Sequence, residues 1–241
     1  MHKLIAIILF FCTFSVQAIP LKAQHHGHGQ LHAQNLLVML HHTQNDPNEF
    51  VNLVDAFNQR GFYPISVDFR SSVISHWQNA AKGIKSMNDL RAKSFPEADE
   101  FYGDIVQFLK DLRATYPGKQ IVVAASGNMA EQSLKAARDY PSVVDGLLLF
   151  TPEFSSEENR NRLSKATRVP VFVTASDDQI KEVQRFVIGV QTRSKMAYLP
   201  EGPSSFGAYA LQNNTQEKEF TWQALDDFIY HYFPAPGRAN S

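Results

Sequence analysis

Cysteine is almost missing from this sequence. The 241 residues include one, Cys12, so no internal disulfide can form and stability must come from an ordinary apolar core. Charge of one sign is not in excess either. Lys and Arg number 23, Asp and Glu 24, and the net charge is −1. That balance argues against nucleic acid or an anionic membrane as the main partner. Glycine is sparse, with 12 residues, and none are grouped as a phosphate-cradling loop, so no cofactor is expected. Beyond residue 18 there is no apolar run long enough for a stable membrane span.

What is present begins with an export pattern. Lys3 precedes a short apolar run over residues 4–15, and Val16-Gln17-Ala18 places small residues at −3 and −1 of a cleavage site. This predicts a signal peptide over residues 1–18, cut after Ala18, and a secreted or periplasmic product. Cleavage would remove Cys12 and Lys3, leaving 22 basic and 24 acidic residues. Residues 19–34 are polar and read as a flexible lead. They carry His25, His26, His28 and His32. No cysteine or carboxylate completes a closed site there, so no metal centre is expected. A single domain is predicted over residues 35–233, followed by a frayed tail over 234–241.

Within that domain apolar strands alternate with amphipathic helices. "NLLVMLHH" (35–42), "YPISVDF" (63–69) and residues 121–125, 146–150, 169–174 and 195–199 read as strands. Between them, Phe50, Leu53, Val54 and Phe57 share one helical face, as do Phe101, Ile105, Phe108, Leu109 and Leu112. Further helices are expected over residues 128–138, 157–166, 179–190 and 216–232. Unbroken apolar strands alternating with helices predict an α/β fold, a mostly parallel, doubly wound sheet with helices on both faces.

Ligands of such a sheet bind beyond the carboxyl ends of its strands. The residues following each strand therefore matter most. They are His41, His42 and Thr43; Asp68 to Ser71; Ser126 and Gly127; Thr151 to Phe154; Ser176, Asp177 and Asp178; and the loop "PEGPSSFGAYAL". Their order resembles the α/β-hydrolase superfamily, and within it the dienelactone-hydrolase-like group. "VVAASGNMAEQSL" is similar to that group's nucleophile strand, turn and helix, "VPVFVTASDD" to its acid-bearing strand, and "EGPSSFGAYAL" to its histidine loop.

The resemblance implies roles. Ser126 would be the nucleophile, exposed on a sharp strand-to-helix turn. Gly127 would offer its backbone N–H to the oxyanion, with a second donor from His42 or Thr43. Asp178 or Asp177 would orient a base, with Glu153 as a further acid. Glycines usually flank such a serine, but Ala124 and Asn128 stand there. The base itself is missing, because Phe206 precedes Gly207 where the family has a histidine. His42 and His76 are the candidate replacements. Glu153, Phe154, Phe206, Tyr209 and Trp77 are candidate pocket residues.

Two readings follow. In one, the protein is a serine hydrolase acting on a small-molecule ester with a non-standard triad. In the other, a catalytically inactive hydrolase-fold protein binds a small ligand or a partner protein. Ser126 and the aspartates favour the first, and Phe206 the second.

Overall fold

In the computed structural model, residues 21–26, 35–43, 45, 48–69, 97–213 and 216–234 are described. The signal-peptide reading, His28, His32, His76, Trp77 and the tail over 235–241 lie outside them. Seven strands form one sheet. In chain order they are β1 (Lys22–His25), β2 (Asn35–Leu40), β3 (Phe62–Asp68), β4 (Ile121–Ser126), β5 (Gly146–Phe150), β6 (Val171–Thr174) and β7 (Lys195–Tyr198), and the spatial order is β1-β3-β2-β4-β5-β6-β7. All pairs are parallel except β1 with β3.

The helices are α1 (Asn48–Val51), α2 (Val54–Gln59), α3 (Tyr102–Thr115), α4 (Asn128–Asp139), α5 (Glu157–Ala166), α6 (Ile180–Gly189) and α7 (Gln216–Tyr232). Side chains alternate across a strand, so β2 feeds two cores. Leu36, Val38 and Leu40 join Ile105 and Leu109 of α3, Leu134 of α4 and Phe186 of α6. Leu37 and Met39 join Phe50, Phe57 and, from α7, Leu225 and Phe228. The helices thus cover both faces, as the unbroken apolar strands require. Phe57 is fully buried between α2 and α7, and truncating such a ring costs about 3–5 kcal/mol.

One segment departs from expectation. Part of the supposed flexible lead is the edge strand β1, registered from Lys22 opposite Asp68 to His25 opposite Ile65. His26 N donates to Pro64 O at 2.9 Å, and its Nε2 lies 2.7 Å from Ser66 Oγ. Burial and the neighbouring His25 hold the His26 pKa below its ordinary value. Backbone hydrogen bonds to β3 hold this strand, and a polar composition does not reveal them.

Candidate functional site

The strand ends converge around the turn from β4 to α4. Ser126 is the last residue of β4 and is fully buried. Its hydroxyl proton is committed to Glu49 Oε1. The sharp turn falls one residue later. Gly127 adopts φ 53° and ψ −124°, a left-handed region that costs a side chain energy and suits glycine. Ser126 is therefore not at the exposed turn position expected for it. Its side chain points inward because it still belongs to the strand.

Glu49 organises the inner side. It is fully buried. Its Oε1 also accepts from Ala208 N at 2.9 Å, and its Oε2 from His42 N at 3.2 Å and Asn45 Nδ2 at 3.4 Å. One carboxylate so ties α1, the end of β4, the segment after β2 and the 3-10 turn Gly207–Leu211 together. Gly207, at φ 61°, passes so close that a Cβ there would overlap both Ser126 Oγ and Glu49 Oε1. Thr151, which among the described residues is the non-glycine one with positive φ, at 47°, fastens the neighbouring chain segments. Its Oγ1 accepts from Ser176 N at 3.0 Å and Gly207 N at 3.1 Å.

Two rings cover Gly127 on the outer side of the turn. A Cβ built on Gly127 would overlap the His42 ring and come within 3.0 Å of Phe206 Cζ. The rings meet edge to face, with centroids 5.7 Å apart. His42 Nε2 lies 3.2 Å from Glu153 Oε2. The oxyanion donors expected from sequence are engaged elsewhere. Gly127 N–H donates to Phe150 O at 3.1 Å, and Thr43 N–H to Asn128 Oδ1 at 3.3 Å. Asn128 Nδ2 returns a bond to Thr43 Oγ1 at 2.8 Å.

Asp177 and Asp178 are exposed and start the 3-10 turn before α6. Ser176 Oγ donates to Asp178 Oδ1 at 2.6 Å, and Asp178 N to Asp177 Oδ1 at 3.1 Å. They open that turn, and among the described residues neither orients an imidazole. Ser126, Gly127, His42, Glu153 and Phe206 are brought together, whereas the aspartates stay apart from them. Phe154 stacks on Phe186, with centroids 5.2 Å apart. Glu49 was missed by sequence reasoning. Its signal was its place four residues before Leu53, on the apolar face of the same segment.

Beside Glu153 opens a cleft of about 700 Å³, lined by Asn128, Glu131, Gln132 and Phe154 among others. Glu131 is held there by Lys135 Nζ at 2.8 Å, Ser155 N at 2.5 Å, Ser155 Oγ at 2.9 Å and Asn159 Nδ2 at 3.2 Å. Burial opposes its charge, but the bonds from Lys135 and Ser155 outweigh burial and keep its pKa below the usual value. Among the described residues no group of three or more His, Cys, Asp or Glu side chains is placed to hold a metal. No described helix is long and apolar enough to cross a membrane.

No family model and no curated protein matches the chain. Solved structures do. A dienelactone hydrolase from Anabaena variabilis is 12% identical, with a TM-score of 0.60 over 88% of this chain and 97% of its own. A monoacylglycerol lipase from Paleococcus ferrophilus is 10% identical, with a TM-score of 0.61 over 88% and 99%. Est1E from Butyrivibrio proteoclasticus, solved with ferulic acid, is 11% identical, with a TM-score of 0.63 over 88% and 95%. At such identities the likeness speaks for architecture, and with the strand order and the β4–α4 turn it establishes that this chain has the α/β-hydrolase fold.

Proposed function

We propose that this protein is a hydrolase-fold binding protein without a serine nucleophile, and that its ligand enters the cleft beside Glu153. The observation that carries this reading is Gly127. It holds the strained strand-to-helix turn, φ 53° and ψ −124°, where a hydrolase of this fold presents its nucleophile. Glycine offers no side chain to attack with. His42 and Phe206 fill the space a serine would need.

Ser126 does not take over. A fully buried hydroxyl that donates to Glu49 meets no acyl group. Nor does it donate to a histidine, the base that would activate it. The neighbouring oxyanion donors are spent on Phe150 O and Asn128. Export fits the reading as well, given the apolar run behind Lys3 and the small residues before the cleavage site. N-terminal sequencing of protein recovered outside the cytoplasm, expected to begin at Ile19, checks that part.

The functional test is turnover of short-chain p-nitrophenyl esters. Wild-type protein and Ser126→Ala are expected to match the rate of buffer alone. Turnover that Ser126→Ala abolishes in folded protein overturns the reading.

A further inference from the structure

We infer that the outer face of α7 is an interface between two copies of this chain, which pair their α7 helices antiparallel about a two-fold axis level with Leu225.

One face of α7 is committed to the core through Thr221, Leu225, Phe228 and Ile229. The opposite face carries Glu219, Phe220, Gln223, Asp227, Tyr230 and His231, all exposed. At 3.6 residues per turn these side chains fall within about a third of the helix circumference. Among the described residues the exposed large apolar side chains are Ile188 of α6, Phe220 at 45% and Tyr230 at 67%. Two of the three thus share one helical stripe. A scattered exposed ring needs no explanation, whereas apolar groups gathered on one face and rimmed by polar ones point to a contact surface.

The occupant follows from the match of the stripe to itself. A two-fold axis across the helix pairs each residue with the one equally far beyond Leu225. Phe220 then meets the partner's Tyr230, an aromatic pair. Gln223 meets the partner's Asp227, an amide donor against a carboxylate. Glu219 meets the partner's His231, an anion against a side chain that becomes cationic on protonation. Each contact is made twice, and no like charges are set opposite each other. A parallel pairing would place Glu219 against Glu219 and Asp227 against Asp227, which repel.

The stripe also borders a groove of about 910 Å³ between α2 and α7. Glu219, Gln223 and Asp227 lie on its α7 wall, and Ala56 and Arg60 face them. In the antiparallel pairing the partner's Phe220 and His231 project toward this groove. Arg60 does not repel that imidazole, because Asp226 holds it at 2.8 Å. A helix pair still buries less than the ~800 Å² per partner of a standard interface. A dissociation constant of about 10–100 μM is therefore expected.

The test is sedimentation equilibrium of the full chain from about 1 μM to 1 mM, with its single thiol kept reduced. A reversible monomer–dimer equilibrium is expected. Tyr230→Asp should weaken it about tenfold or more, since the change acts at two symmetric contacts. Glu219→Lys and His231→Asp should each weaken it about threefold, and the variant carrying both should regain wild-type affinity or better. Ile188→Asp, on α6, should leave the dimer unchanged. Circular dichroism confirms that each variant is folded. A monomer throughout that range overturns the inference, and one that binds phosphatidylcholine vesicles gives the stripe to a lipid surface instead. A dimer that Tyr230→Asp leaves intact or that Ile188→Asp dissolves overturns it too, as does a double charge variant no tighter than the single ones.

Discussion

The two sides of the Ser126–Gly127 turn are built on opposite principles. On the inner side the polar groups are buried and hydrogen-bonded to one another. Ser126, Ala208, His42 and Asn45 converge on the fully buried Glu49, with Gly207 pressed against them. On the outer side Asn128, Glu131, Gln132 and Glu153 line an open cleft. The serine lies on the sealed side. The difference teaches that a serine at the end of the right strand is not a nucleophile unless the turn presents it outward.

The contrast can be broken by substitution, with the largest effect at Gly207. Gly207→Ala combines a left-handed conformation, ~1–2 kcal/mol, with overpacking against Ser126 and Glu49, ~1–3 kcal/mol. Urea denaturation should register the sum, and a loss under ~1 kcal/mol would mean the inner side is not tightly packed. Next comes Glu49→Ala, which strands buried donors and should cost about 3 kcal/mol. Glu49→Gln keeps an acceptor and should cost less in the same assay.

On the outer side, Glu131→Gln should cost about 1 kcal/mol, because a charge-assisted network loses its charge. Its pH dependence has a definite sign. The folded pKa lies below the ordinary value of 4.5, so the contribution is full above that value and fades as pH falls through the lowered folded pKa. Stability measured from pH 6 to pH 3 should therefore fall less steeply in Glu131→Gln than in wild type. The smallest effect belongs to Asp178→Ala. This exposed turn residue should change stability by under ~0.5 kcal/mol in the same urea assay.

Much of the fold was legible in the sequence. The apolar runs of β2, β4 and β5 and the face shared by Phe50, Leu53, Val54 and Phe57 depend on local patterning, which periodicity reports directly. β1 was hidden because an edge strand of mixed polarity is held chiefly by hydrogen bonds to β3, with Ala23 alone of its side chains packed on the core. The site was legible only in outline. Sequence identified Ser126, Gly127, His42, Glu153 and Phe206, and the structure gathers them at one turn. Sequence reasoning placed Ser126 in the strained position that the structure gives to Gly127. That depends on where β4 ends, and a shift of one residue sends a side chain to the opposite face. Asp177 and Asp178 misled because a carboxylate that opens a helical turn and one that orients a base look alike in sequence.

The measurement that bears most directly on the account is treatment of the full-length protein with a fluorophosphonate probe, followed by peptide mapping of the Ser126 segment. The account predicts an unmodified Ser126 in folded protein, because the hydroxyl is buried and its proton is held by Glu49. A stoichiometric phosphonyl adduct on Ser126, absent from Ser126→Ala, would contradict it and return the protein to the serine hydrolases.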